Sequence, residues 1–298
     1  MITVFLGTSD FAAAVLRRLA GSPHRPALVI TRPDRPRGRG RRRASPAVAD
    51  AARELGLPLQ QPDDVNGEAA RGQIAAVAPD ALCVCAFGAL IGDALLSAHP
   101  ILNVHPSLLP RWRGAAPVER AIMAGDAETG VCIMRLVAEL DAGPVGLRAA
   151  EPIAADDTYG SLAGRLEALG AELLVRALDT SPAYAEQLAE GVTYAEKITA
   201  ADRTLDPAAG PGALERRVRA LHPHIGARIE LGEREWLGVR AARPAPAGRG
   251  PAPGTLAVEG ERVLWGCADG ALELLEVQPA GGRAMAAEEY ARGHRAAP

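Results

Sequence analysis

A chain of 298 residues is too long for one small core and predicts two domains, since a single domain usually holds ~100–200 residues. A hydrophobic fraction of 48% with a net charge of −3 excludes both a disordered chain and a globally basic nucleic-acid binder, so any polyanion contact must be local. No apolar run reaches the ~18 residues of a membrane span, and the start, MITVFLGTSDF, lacks the blocks of a secretory leader, which predicts a cytoplasmic protein.

In chain order, the first strand is expected over 2–7 (ITVFLG) and is followed by a helix near Phe11–Ala20. The series continues with ALVIT (27–31), a helix near Pro46–Leu55, an extended segment near Pro58–Gln61, and a helix near Glu68–Val77. Three more β-rich runs follow: ALCVCAFG (81–88), ILNVH (101–105) and TGVCIMRLV (129–137). A helix over Thr158–Leu178 closes it, with Leu162, Leu166, Leu169, Leu173 and Leu174 at helical spacing. Strands alternating with helices specify an α/β, Rossmann-like domain with a mostly parallel sheet, assigned to residues 1–180. Ligands of such sheets gather at the carboxyl ends of the strands, which favours positions just after Phe87 and at Asn103–His105. Residues 181–203 read as a linker. From 204 to 298, a helix near Pro211–Leu221 precedes strand-like runs at 227–231, 255–260, 262–267 and 271–279, which predicts a small β-barrel. The Ala/Pro/Gly stretch at 241–254 reads as a long loop.

Only Gly7 is present in GTSDF, so this turn is no dinucleotide fingerprint, which needs three glycines; Ser9 or Asp10 is expected to cap the helix that follows. Cys83, Cys85, Cys132 and Cys267 lie in apolar runs without CxxC spacing, which fits buried reduced thiols, and no metal site is expected because a closed zinc site needs four ligands.

The segment RPDRPRGRGRRR (32–43) sets seven arginines against Asp34 and is expected to form a flexible, exposed loop. Such a run is either a solvated face or a polyanion contact. Its net +6 in a mildly acidic chain, next to strand ends, favours the contact, and the guanidinium fork suits phosphate.

Asn103 and His105 are i and i+2 at the end of a strand, so their side chains point the same way and form a polar pair. Two roles are open: Asn103 caps a turn while His105 satisfies a buried carbonyl, or the two line a pocket. Pro106, Pro110 and Gly114 fix the loop that follows, and ELDAGP (139–144) brings Asp141 in a later turn, which favours a pocket.

Together, Asn103, His105, SLLPRWRGAAP (107–117) and Asp141 resemble the folate-dependent formyltransferase family. The resemblance extends through GTSDFA (7–12), RPDRPRGRG (32–40), GDAETGVCIM (125–134), TYAEKI (193–198) and QPAGGRAM (278–285). It departs from some relatives at Pro106 and at Pro144, where an acid is replaced. It implies a Rossmann-like catalytic domain, a linker and a C-terminal barrel similar to an OB-fold that helps hold tRNA. The implied reaction moves the formyl group of 10-formyltetrahydrofolate to the α-amine of initiator methionyl-tRNA, in a monomer. Asn103 and His105 would hydrogen-bond the developing oxyanion and Asp141 would accept a proton. The folate would lie against Phe87, Gly88, Leu90 and Val137, bordered by Ser107, Leu108, Leu109 and Pro110. Arg37, Arg39, Arg41, Arg42 and Arg43 would meet the tRNA acceptor end. Thirteen arginines balance thirteen acids from 201 to 298, so any RNA contact of the barrel must rest on charge distribution. Two rival readings keep parts of this pattern: a transferase or hydrolase with a small acceptor, and an RNA-binding protein without catalysis.

Overall fold

The computed structural model describes residues 1–37, 42–232, 235–246 and 250–293. The chain divides into two compact units, one of residues 1–114, 129–152 and 163–195, the other of residues 115–128, 153–162 and 196–298.

The first unit opens with β1 (Thr3–Gly7), α1 (Asp10–Ala20), β2 (Pro26–Ile30), β3 (Arg35–Arg37), β4 (Arg42–Ala44), α2 (Ala47–Glu54) and β5 (Leu59–Gln60). It continues with α3 (Glu68–Val77), β6 (Ala81–Cys85), α4 (Asp93–Ala98), β7 (Ile101–His105) and β8 (Arg113–Gly114). After α5 (Pro117–Ala124) come β9 (Glu128–Arg135), β10 (Val145–Pro152), α6 (Tyr159–Thr180) and β11 (Tyr194–Ala195). Seven strands form one sheet in the order β10-β9-β7-β6-β1-β2-β5. The pairs β1–β2, β1–β6, β2–β5 and β6–β7 are parallel, and β7–β9 is antiparallel. This is the Rossmann-like, mostly parallel sheet that the alternation of runs predicts. From β1 the chain steps to β2 and β5 on one side and returns to β6 on the other. The topological switch point, where such sheets bind ligands, therefore lies between the carboxyl ends of β1 and β6.

Every residue of β1, β6 and β7 is buried, as expected for strands covered on both faces. Val4, Leu6, Ile30, Ile74, Leu82 and Ile101 belong to one core. At the N-terminus of α1 the Ser9 side chain accepts the amide proton of Ala12 at 3.2 Å, so the GTSDF turn is a helix cap. A Cβ on Gly7 would lie 2.8 Å from that of Ala12 and 2.9 Å from the carbonyl of Cys85; the glycine serves close packing. The four cysteines are free and buried. Burial pushes the Cys83 thiol up to about 12, which makes it an inert core side chain.

The arginine-rich segment departs from the flexible loop expected of it. Its flanks pair as an antiparallel hairpin, Arg35 with Ala44, Pro36 with Arg43 and Arg37 with Arg42. Two strands satisfy each other's backbone groups while exposed residues such as Arg35 and Arg43 stay in water, and a proline is tolerated on so open an edge. Residues 38–41 lie outside the described residues.

The second unit contains α5, α7 (Ala200–Arg203), α8 (Pro211–Leu221), β12 (Ala227–Gly232), β13 (Glu235–Pro244), β14 (Leu256–Glu259), β15 (Arg262–Cys267), β16 (Gly270–Pro279), β17 (Met285–Ala286) and α9 (Ala287–Gly293). Its sheet runs β12-β13-β16-β15-β14, with β17 beside β16. The paired strands are antiparallel, the small OB-like β-barrel module expected C-terminally. Leu214, Val218 and Leu221 of α8 close a core with Ile229, Leu237, Trp265 and Leu274. The stretch from 241, read as loop, continues β13 as far as Pro244, because register shifts around Ala241 absorb the irregular sequence. A capping box joins Thr199 and Asp202 at α7, and Arg120 of α5 lies 2.8 Å from Asp202. Burial works against the Asp202 carboxylate, yet the Arg120 and Thr199 hydrogen bonds outweigh it and hold the group down at about 2.

Candidate active site

Asn103 and His105 close β7, where Asn103 pairs with Val84 of β6 and Met134 of β9, and His105 with Cys132 of β9. Both side chains are buried, 8% and 4% exposed, and Asp141 is 9% exposed. Buried polar groups need partners, and these three find them among themselves and in the adjoining backbone. The Asn103 amide nitrogen reaches the Asp141 carboxylate at 3.4 Å. The other carboxylate oxygen accepts the Gly114 amide proton at 2.9 Å and lies 3.7 Å from Nδ1 of His105.

His105 Nε2 lies 2.9 Å from the carbonyl oxygen of Trp112. A carbonyl only accepts, so Nε2 carries a proton, and a neutral ring has an open lone pair at Nδ1 facing Asp141. Nε2 thus satisfies a buried carbonyl, one of the two roles open to His105, while Nδ1 faces the Asp141 carboxylate. Donation of a hydrogen bond from Nδ1 requires a second proton on the ring.

Two of the six non-glycine residues of positive φ among the described residues lie here. Asp141 has φ +46° and Trp112 φ +64°, in the left-handed region that residues other than glycine seldom occupy. Gly114 has φ +118°, and a Cβ there would lie 2.8 Å from the Ala195 carbonyl, so only glycine lets this amide aim at Asp141. Close packing also supports the strand: a Cβ on Gly170 of α6 would lie 2.8 Å from a methyl carbon of Val104, between the two site residues.

The loop after β7 is tied down along its length. Ser107 is buried and its hydroxyl donates to the Arg111 carbonyl at 2.7 Å. Thr193 accepts the Trp112 amide proton on its hydroxyl and the Arg113 amide proton on its carbonyl, each at 2.9 Å, and β8 pairs with β11. Residues 181–203, read as a linker, therefore include a strap that helps build the site. Thr193 falls in the TYAEKI segment, but Gln187, which bonds the Asp141 turn, carries no motif and was missed.

The expected folate residues are spread around this centre. Gly88 lines a cavity of about 500 Å³ at the switch point, together with Ser9, Asp10, Arg32, Arg35 and Phe87. Phe87 belongs to the sheet core and Leu109 packs with Cys132 and Met134. Leu90, by contrast, is 82% exposed, so it is no core residue, and Val137 is also exposed. Leu108 approaches Gly130, and the Pro110 carbonyl accepts the Thr193 amide proton at 3.4 Å. Of the expected RNA contacts, Arg43 is exposed on the hairpin and Arg37 and Arg42 are paired through their backbones. Arg39 and Arg41, and the side chains of Arg37 and Arg42, lie outside the described residues. Among the described residues, no group of three or more His, Cys, Asp and Glu gathers as a metal site would.

A family model described as formyl transferase matches residues 1–178, and another described as formyl transferase, C-terminal domain, matches residues 197–295. The methionyl-tRNA formyltransferase of Dechloromonas aromatica is 43% identical over 297 residues, covering 99% of this chain and 96% of its own. That of Halorhodospira halophila is 45% identical over 303 residues, covering 99% and 97%. HypX from Aquifex aeolicus, solved in complex with tetrahydrofolic acid, superposes with a TM-score of 0.66 over 98% of this chain and 47% of its own. At 18% identity that likeness is one of fold.

Proposed function

The chain belongs to the formyl transferase family, and from that membership we propose that it transfers the formyl group of 10-formyltetrahydrofolate to the α-amino group of methionyl-tRNA. The product is N-formylmethionyl-tRNA, the form used to initiate translation. The observation that carries this reading is the convergence of Asn103, His105 and Asp141 at the carboxyl end of β7, in a chain similar over nearly its whole length to methionyl-tRNA formyltransferases.

The free-base amine attacks the formyl carbon, a C–N bond forms, and the carbonyl oxygen becomes an oxyanion. Asn103 donates its amide N–H to that oxygen, and His105 donates from Nδ1 when both ring nitrogens are protonated. A preorganised donor of this kind is worth about 2.7–4 kcal/mol. Asp141 takes the proton that the attacking nitrogen loses, directly or through water. Collapse of the intermediate re-forms the carbonyl and breaks the bond to the folate nitrogen, which takes up one proton as the amine has released one.

Leu90 and Val137 offer exposed apolar surface to the flat folate ring beside Gly88. Phe87 and Leu109 back that surface from the core, and Ser107, Leu108 and Pro110 border it. Arg37, Arg39, Arg41, Arg42 and Arg43 meet acceptor-end phosphates of the initiator tRNA, contacts that position RNA without reading its sequence. In this reading residues 1–180 carry the transfer chemistry, 181–203 connect the domains and include the strap tied to the site, and 204–298 help hold tRNA, in a cytoplasmic monomer. Incubation of the protein with 10-formyltetrahydrofolate and methionyl-tRNA, beside free methionine and glycinamide ribonucleotide, tests the acceptor. Formylation of the charged tRNA alone is expected; formylation of a small acceptor, or none, contradicts the reading.

A further inference from the structure

The Asp141 turn must hold a non-glycine residue at φ +46°, and the bond from the Gly114 amide fixes only one carboxylate oxygen. The side chain of Gln187 ties the backbone of the turn to the neighbouring loop. Its side-chain nitrogen donates to the Asp141 carbonyl at 2.7 Å and to the Gly143 carbonyl at 2.8 Å. Its side-chain oxygen accepts from Nε and Nη2 of Arg113, at 3.1 and 3.0 Å.

These four bonds use both N–H groups and both lone pairs of the amide. The carbonyls only accept and the guanidinium only donates, so the amide fits in one orientation and no other. Arg113 is itself buried, reaches Glu139 at 3.2 Å with Nη1, and is the residue before Gly114. Gln187 thus cross-links the two segments whose relative position sets where the Asp141 carboxylate lies: the turn that carries Asp141 and the loop whose amide anchors it.

We propose that Gln187 is a positioning residue for the transfer reaction, setting the separation of Asp141 from His105 Nδ1 through the turn rather than by touching either substrate. The proposal rests on the formyl-transfer reading above. A glutamine in an apparent linker thereby becomes part of the catalytic apparatus.

The test compares wild type with Gln187→Met, which keeps length and volume but removes all four bonds, and Gln187→Glu, which can still accept from Arg113 but cannot donate to the two carbonyls. Steady-state formylation of methionyl-tRNA is measured across pH, with thermal unfolding alongside. Both variants are expected to lose kcat on the order of 100-fold, the loss that a displacement of about 1 Å near the chemistry produces, with KM for both substrates within about twofold. The limbs of their pH–kcat profiles should also move relative to wild type, which a purely structural role would not cause. If Gln187→Met fails to fold, Gln187→Glu decides. Wild-type kcat in a folded variant overturns the proposal, as does a loss that appears wholly in KM with an unmoved pH profile. Because wild type runs in the same assay, its silence would overturn the transfer reading and the role of Gln187 with it, whereas unchanged variant turnover overturns the role of Gln187 alone.

Discussion

The Trp112 carbonyl accepts the hydrogen bond from Nε2 of His105, so whatever the ring contributes to a reaction passes through Nδ1, the atom that faces Asp141. Asn103 has no such division of labour: its amide nitrogen lies at 3.4 Å from the carboxylate, a long contact that a developing oxyanion can replace. On this assignment Asn103→Ala lowers kcat by roughly 100- to 1,000-fold, as loss of one oxyanion donor does, and leaves KM for methionyl-tRNA nearly unchanged. Steady-state kinetics check it; an unchanged kcat would remove Asn103 from the oxyanion. The i, i+2 pair was legible from strand alternation alone, because residues two apart share a face. Asp141 was legible only through its motif, since its approach to His105 depends on a turn that no periodicity describes. Gln187 was not legible at all: its role lies in hydrogen bonds to backbone atoms made by residues distant in sequence.

At the scale of elements, the continuous apolar runs of β1, β6 and β7 announced buried parallel strands, and α8 was found where its helical pattern begins and ends. Short or polar elements escaped. β8 and β11 are two residues each and exist only through their mutual pairing, and the β3–β4 hairpin is built from a segment whose charge argued for a loop. Within the barrel module, Glu273 of β16 is a buried acid held between Arg243 and Arg262, each at 3.0 Å. The hydrogen bonds from Arg243 and then Arg262 hold its carboxyl below the ordinary value against the opposing effect of burial. A depressed folded-state value contributes stability that is complete above the unfolded value of about 4.3 and is lost as pH falls through the folded one. Glu273→Gln should therefore lower the melting temperature at neutral pH, with the gap closing as the pH drops below about 4. Melting curves of both proteins from neutral to acid pH check this; a gap that stays constant would mean that the ion pairs are not its source.

At the scale of the molecule, length and the change in pattern near 204 point to two domains, and the chain divides into two compact units whose membership no local pattern announces. Residues 115–128, including α5, belong with the C-terminal module, where Glu119 meets His224 at 3.0 Å and Arg216 donates to the Met123 carbonyl at 3.2 Å. Such long-range pairing leaves no local trace in sequence. Charge is also a property of the whole: with a net −3, the proposed tRNA contact rests on a local cluster, the hairpin arginines, rather than on the chain's overall charge. Arg43→Ala should weaken methionyl-tRNA binding and reduce the slope of log affinity against log salt by about 1, one phosphate contact's worth, while binding of the folate stays the same. An unaltered slope would take Arg43 out of the interface.

Formyl transfer at Asn103, His105 and Asp141 is tested by a single-turnover comparison of wild type with Asp141→Asn. Enzyme in excess is mixed with methionyl-tRNA and 10-formyltetrahydrofolate, and N-formylmethionine released from the tRNA is followed in time, with tRNA binding measured in parallel. Transfer at these residues predicts formylmethionine from wild type, a rate lower by roughly 100- to 10,000-fold for Asp141→Asn, and equal tRNA binding. Equal rates for the two proteins would contradict it.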